Sequence, residues 1–141
     1  AGTKSVPIGP KGAPTGFRKV SEGGKDLKSW RQDVSAAAST ALGVEPTLDG
    51  PVQLHVLFRF PMPKSRPKWA RDAGFMLMTV KPDLDKLVRA IGDSCKVAGV
   101  IRDDGQICVT HSAKVEVWDG WTGARVRLTR LDPRAVLDSY E

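Results

Sequence analysis

Apolar side chains recur along this chain with two different periods, and the switches between them mark its elements. Over residues 25–42, Leu27, Trp30, Val34, Ala37, Ala38 and Ala41 repeat at helical spacing and Gly43 follows, so a helix is expected there. Over 52–60, Val52, Leu54, Val56, Phe58 and Phe60 alternate with Gln53, His55, Leu57 and Arg59, and a period of two predicts a half-buried strand. A short apolar run predicts a second strand at 75–80. Leu84, Leu87, Val88, Ile91 and Cys95 share one face of a predicted helix over 84–97, with Gly99 beyond its end. Residues 107–110, 113–118 and 124–131 read as three more strands, punctuated by Gly105 and by a turn at 119–123.

Two stretches fit neither period. Residues 1–24 carry too many glycines and prolines for a helix and are expected to form an extended, loop-rich basic arm. Residues 59–71 hold five basic residues, three prolines and no acid, so they read as an irregular basic loop that cannot continue the strand. The element order predicts an α/β (α+β) fold, a small mixed sheet with two main helices packed on it, as one domain over residues 1–141.

Composition narrows this picture. At 141 residues, with 40% hydrophobic and 27% charged, the chain can bury one real core and is neither disordered, collagen-like nor membrane-spanning. A formal net charge of +6 suits an anionic partner. Cys95 and Cys108 are the only cysteines and read as buried small hydrophobes in a reducing compartment. With no apolar run of membrane-spanning length and no secretory leader pattern, cytoplasmic residence and no membrane partner are expected. His55 and His111 have no clustered partners and read as structural; no Ser-His-Asp spacing, P-loop or dinucleotide-binding glycine motif occurs.

The acids carry the chemistry. Of the 16 acidic residues, twelve are the short carboxylate Asp, and five of these, Asp83, Asp85, Asp93, Asp103 and Asp104, fall within 83–104. If Asp83 is the helix N-cap, its backbone is still extended, and Asp85 can point to the same side. Asp104 lies in an Asp-Asp-Gly turn that an antiparallel return of the chain would bring back toward Asp83. Three such carboxylates repel unless a hard divalent cation sits among them. The structural alternative is that Asp83 caps the helix, Asp85 complements its dipole and residues 103–105 form a turn. The residues alone leave both readings open.

The run KPDLDKLVRAIGD, followed by VIRDDGQI, resembles the signature of the RusA-type Holliday-junction resolvase family: Asp-x-Asp-Asn opening a helix, then Asp-Asp about twenty residues later. The resemblance covers residues 81–114 closely and the arm loosely, through PKGAPTGFRKV. It implies that Asp83, Asp85 and Asp104 bind metal, with Asp103 a lesser contributor. Two positions depart from the pattern. Lys86 stands where the family has Asn, and Arg89 stands where it has a catalytic lysine. Arginine can stabilise developing phosphate charge but cannot deprotonate water, which leaves Lys86 or a metal-bound hydroxide for any proton transfer. Asp93 is expected to pair with Arg89 along the helix.

By this resemblance the chain is a Mg²⁺-dependent endonuclease, with Mn²⁺ as an alternative ion, that cleaves branched DNA such as four-way junctions to 5′-phosphate and 3′-hydroxyl ends. It would act in recombination and repair as a homodimer, in a host cytoplasm if the source is a phage or prophage. Expected DNA contacts are Lys11, Arg18 and Lys19 in the arm, Lys64, Arg66, Lys68 and Arg71 in the basic loop, Trp69 as a base-stacking candidate or loop anchor, and Lys114 in support. The alternatives are a catalytically inert junction-binding protein and a metal-dependent phosphodiesterase with another substrate.

Overall fold

The computed structural model describes the backbone of Ser5–Ile8 and residues 47–141; the expected helix over 25–42 and the arm residues Lys11, Arg18 and Lys19 lie outside the described residues. Five strands among the described residues form one sheet: β1 (Ser5–Ile8), β2 (Val52–Pro61), β3 (Phe75–Leu77), β4 (Ile107–Val117) and β5 (Gly123–Arg130). Their order is β1-β5-β2-β4-β3, with β2 and β4 parallel and every other neighbouring pair antiparallel. Among the described residues three helices accompany the sheet: α1 (Lys68–Ala73), α2 (Leu84–Val97) and α3 (Pro133–Asp138). The mixed sheet and the helices between its strands make this an α+β fold, as the two periodicities predict.

The core lies between α2 and one face of the sheet. Leu54, Val56 and Phe58 of β2 are fully buried and stand in register with Leu128, Val126 and Ala124 of β5. From α2, Leu87, Ala90, Ile91 and Cys95 pack into the same cluster, joined by Leu48, Met78, Val100 and Ile101. The alternate positions of β5, Arg125 and Arg127, are exposed, so the strict alternation reflects a sheet covered on one side.

β4 runs against this pattern. Register places its Thr110, Ser112 and Lys114 beside Leu54, Val56 and Phe58, so its polar positions share the α2 side. Thr110 and Ser112 hydrogen-bond to each other at 2.7 Å, and Lys114 holds the segment that leads into α2, as described below. This explains the continuity of β4: two separate strands at 107–110 and 113–118 are expected from the polar interruption, but the backbone ladder with β2 runs through it from Ile107 to Val117.

Other departures are local. β2 extends through Pro61, and residues 68–73 are helical, so only the segment between them is irregular. Pro67 precedes α1 with extended backbone, and Gly74, at φ 88°, ends it by donating to the Ala70 and Arg71 carbonyls. The strand expected at 75–80 is confined to Phe75–Leu77. The tail forms α3 after an Asp132 cap that accepts from the Arg134 N–H. Cys95 is buried as expected, whereas Cys108 is exposed, at the register irregularity where Val52 pairs with Ile107 and Gln53 with Val109.

Candidate active site

α2 begins where expected. Asp83 is its N-cap with extended backbone, φ −69° and ψ 141°, yet its carboxylate accepts no capping hydrogen bond from the helix. The carboxylate instead has the Lys86 ammonium at 4.0 Å. Asp85 follows in the first turn, and Arg89 lies one turn further along the same face. Gly92, seven residues after Asp85 and about 10 Å along the axis, continues this face. A Cβ placed on Gly92 would stand 3.7 Å from Asp104 Cβ and 3.3 Å from Ile107 Cδ1. The bare backbone at Gly92 therefore lets the 103–106 turn approach the face that carries Asp85 and Arg89.

That turn is held from several sides. The Asp103 carboxylate accepts from the Gly105 N–H at 3.1 Å and has the Lys96 ammonium of α2 at 3.2 Å. The Lys96 contact, with help from the Gly105 N–H, holds the Asp103 carboxyl below the usual carboxylate range. Gln106 closes the capping box. Its Oε1 accepts from the Arg102 and Asp103 N–H groups at 2.7 and 3.0 Å, and its Nε2 donates to the Leu48 and Gly50 carbonyls at 3.0 and 2.9 Å. Gln106 thus uses both ends of its amide to fix the turn that presents Asp104. It is absent from the sequence-derived candidates, although the Asp-x-x-Gln spacing is itself the signal for such a box.

Lys114 has a comparable role at the other end of α2. Its ammonium donates to the carbonyls of Val80 and Pro82, each at 2.7 Å, tying β4 to the residues just before Asp83. This contact makes Lys114 a support for the Asp83 segment.

Asp83 and Asp85 stand at the first turn of α2 and Asp104 beside Gly92 two turns on, and no group of three or more His, Cys, Asp or Glu side chains among the described residues is gathered closely enough to hold a metal ion. Their chemistry suits a hard cation nonetheless, being exposed oxygen donors. Among the described residues, the side chains of Asp85, Arg89 and Asp104 make no hydrogen bond or ion pair. The expected Arg89–Asp93 pair is not formed: Asp93 turns to a half-buried position, and Arg89 stays exposed on the Asp85 face.

In the basic segment, Arg66 is not available as a free cation. Its Nε and Nη2 donate to Oε1 and Oε2 of the buried Glu116 at 2.7 and 2.9 Å, and this pairing raises its pKa. Arg71 sits over the Trp118 ring at 5.6 Å. Lys64, Lys68 and Trp69 are exposed, Trp69 to 63%.

A family model described as endodeoxyribonuclease RusA matches residues 12–129. The chain belongs to the RusA endodeoxyribonuclease family. Comparison with curated proteins returns no match. The RusA match takes in both aspartate-bearing segments and reaches to β5. Among the described residues, no helix is long and apolar enough to cross a membrane.

Proposed function

We propose that this chain is a divalent-metal-dependent endonuclease that cuts branched DNA, four-way junctions foremost, leaving 5′-phosphate and 3′-hydroxyl ends. The observation that carries the reading is the placement of Asp104 against Gly92, on the α2 face that bears Asp85 and Arg89. Asp83, Asp85 and Asp104 would hold Mg²⁺ or Mn²⁺, with Asp103 supporting the turn. A hard cation on such oxygens polarises the scissile phosphate and lowers the pKa of bound water.

The chain's own residues supply the rest. Arg89 directs a fixed positive charge at the phosphate, where negative charge develops. Lys86, its ammonium 4.0 Å from the Asp83 carboxylate, can carry a proton, which Arg89 cannot. Lys114 ties down the segment before Asp83, and Gln106 the turn that carries Asp104. Lys64, Lys68 and Trp69 contact DNA beside the site, together with the arm residues Lys11, Arg18 and Lys19.

A homodimer completes the reading, because a four-way junction has two-fold symmetry and is cut on two strands. The edge strand β3 supports it: its Leu77 and Phe75 are 65% and 54% exposed.

The test is incubation with a four-way junction and with a duplex of the same sequence, each with and without Mg²⁺. Paired cuts in the junction only, lost in Asp83→Asn, Asp85→Asn and Asp104→Asn proteins that still bind it, support the proposal. Junction binding without cleavage marks an inert binding protein, and equal cutting of both DNAs marks a phosphodiesterase of another specificity.

A further inference from the structure

At the end of the sheet where β2 finishes, three guanidiniums gather on two indoles. Arg59 lies 4.3 Å and Arg125 4.8 Å from the Trp121 ring centroid, while Arg71 of α1 lies over Trp118. Among the described residues none of the three arginines has a carboxylate partner, and Asp72 and Asp119 in the same segments form no ion pair with them. Arg59 makes one long hydrogen bond, 3.4 Å to the Asp119 carbonyl. Among the described residues, the Nε atoms of Arg59 and Arg71 are buried with no hydrogen-bond acceptor. These cations are held by ring contact, with their hydrogen-bonding capacity largely unmet.

Two like charges on one indole repel each other, and an anion between or beside them removes that repulsion. The guanidinium fork matches phosphate oxygens in geometry, and stacking on the indoles fixes the fork before any ligand arrives. Trp118 remains 43% exposed, which leaves ring surface beside the cations. Arginines interleaved with partly exposed aromatic rings are the arrangement that takes a nucleic-acid strand with its bases open, since the cations follow the backbone and the rings accept base faces. Arg59 is in register with Val115, the residue after Lys114, and Lys114 holds the segment that leads into Asp83. The patch therefore lies at the same end of the sheet as the start of α2 but on the face turned away from it.

We propose that Arg59, Arg71 and Arg125, with Trp118 and Trp121, bind the phosphate backbone of an unpaired DNA strand. The inference rests on the reading of this chain as a protein that acts on DNA, but not on the carboxylate centre.

The test is fluorescence anisotropy of a labelled oligo(dT) of about 20 nucleotides, long enough for one such site, titrated in EDTA so that no cleavage occurs. Arg71→Ala/Arg125→Ala should weaken binding at least tenfold and lower the slope of log affinity against log salt by about 1.4, about 0.7 for each lost contact to a single strand. Arg71→Lys/Arg125→Lys should keep the slope while losing part of the affinity, because lysine retains the charge but not the stacked fork. Quenching of wild-type tryptophan fluorescence by oligo(dT) gives a reading that needs no variant. Unchanged affinity and slope in the alanine protein, or no quenching in the wild type, overturns the proposal; so does a change of oligomeric mass with no change in affinity. If the wild type cuts junctions while oligo(dT) binding ignores the patch, this inference falls and the nuclease reading stands. If the patch governs oligo(dT) binding but no branched DNA is cut with Mg²⁺, the reverse holds.

Discussion

Arg66 grips Glu116 with two parallel hydrogen bonds, 2.7 Å and 2.9 Å long, and so fastens the chain that leaves β2 to the far end of β4. The Glu116 side chain is only 3% exposed, so its charge is tolerable only while this partner is present. Arg66→Ala should therefore lower the melting temperature by roughly 10 °C, in line with stranding a buried charge in a domain of this size. Arg66→Lys should recover only part of the loss, because an ammonium cannot make the bidentate contact. Thermal unfolding followed by circular dichroism checks both, and an alanine variant that melts like the wild type would show the pair to be dispensable.

Lys64 and Lys68 flank Arg66 but are exposed, and this separates their roles from its own. Lys64→Ala/Lys68→Ala should leave the melting temperature within a degree or two. The same change should lower the salt slope of junction binding by about 1.8, about 0.9 for each lost duplex phosphate contact. A slope equal to that of the wild type would make this segment a solvated surface.

The unequal roles of these three neighbouring cations show where the sequence stops being legible. Alternation over β2 and the apolar face of α2 announce the core, because burial on one side imposes a period that survives in one dimension. The spacing of Asp83, Asp85 and Asp104 is equally plain. Which cation is free is not, since Arg66 meets Glu116 and Lys114 meets Pro82 only when positions 50 and 32 apart are folded together. α1 is hidden by three prolines that read as loop, although Pro67 at its start and Gly74 at its end are helix boundaries. Gln106 is missed for a different reason: its capping box is local, but the carbonyls of Leu48 and Gly50 that complete its bonding are not.

Gln106 should control metal use without touching the metal. Gln106→Ala removes an acceptor from two N–H groups and a donor from two carbonyls, which releases the turn that presents Asp104. The Mg²⁺ concentration needed for half-maximal single-turnover cleavage should rise about tenfold or more, as for other loss of support behind a metal ligand. Gln106→Glu keeps the acceptor and should fall between alanine and wild type. An unchanged Mg²⁺ requirement in the alanine protein would show that Asp104 is placed by the backbone alone.

The two thiols should report opposite environments. Cys108 is exposed and should react with a thiol reagent in the native protein, whereas Cys95 should react only on unfolding, so titration gives one fast equivalent and one protected one. Burial pushes the Cys95 thiol up from 9.0 to about 12. The folded state then holds its proton where the unfolded state has lost it, so this contribution to stability is complete below about 9.0 and is lost as pH rises toward about 12. Cys95→Ala should be less stable at neutral pH because it leaves a cavity in the core, yet should lose less further stability across the alkaline range. Parallel alkaline slopes for the two proteins would contradict the assignment.

Arg89 stands where the RusA signature carries a lysine, and its surroundings decide what it can do. It lies one turn after Asp85, is exposed, and makes no ion pair or hydrogen bond among the described residues. A structural partnership with Asp93 is thereby removed, and with it the reason to expect a stability defect. Its charge is held on the face approached by Asp104, where a phosphate drawn to the carboxylate edge would meet it. Because negative charge grows on that phosphate during cleavage, the guanidinium should favour the transition state over the bound ground state. Arg89→Ala should lower the single-turnover rate roughly a hundredfold, the scale of removing one preorganised charged donor, with little change in junction affinity or melting temperature. Arg89→Lys should retain much of the rate, since a fixed positive charge and not proton transfer is what the position supplies. Neither variant should shift the pH dependence of cleavage, because arginine does not titrate in the working range. An alanine variant that keeps its rate would move the charge requirement to Lys86, where the same rate and pH measurements on Lys86→Ala locate it.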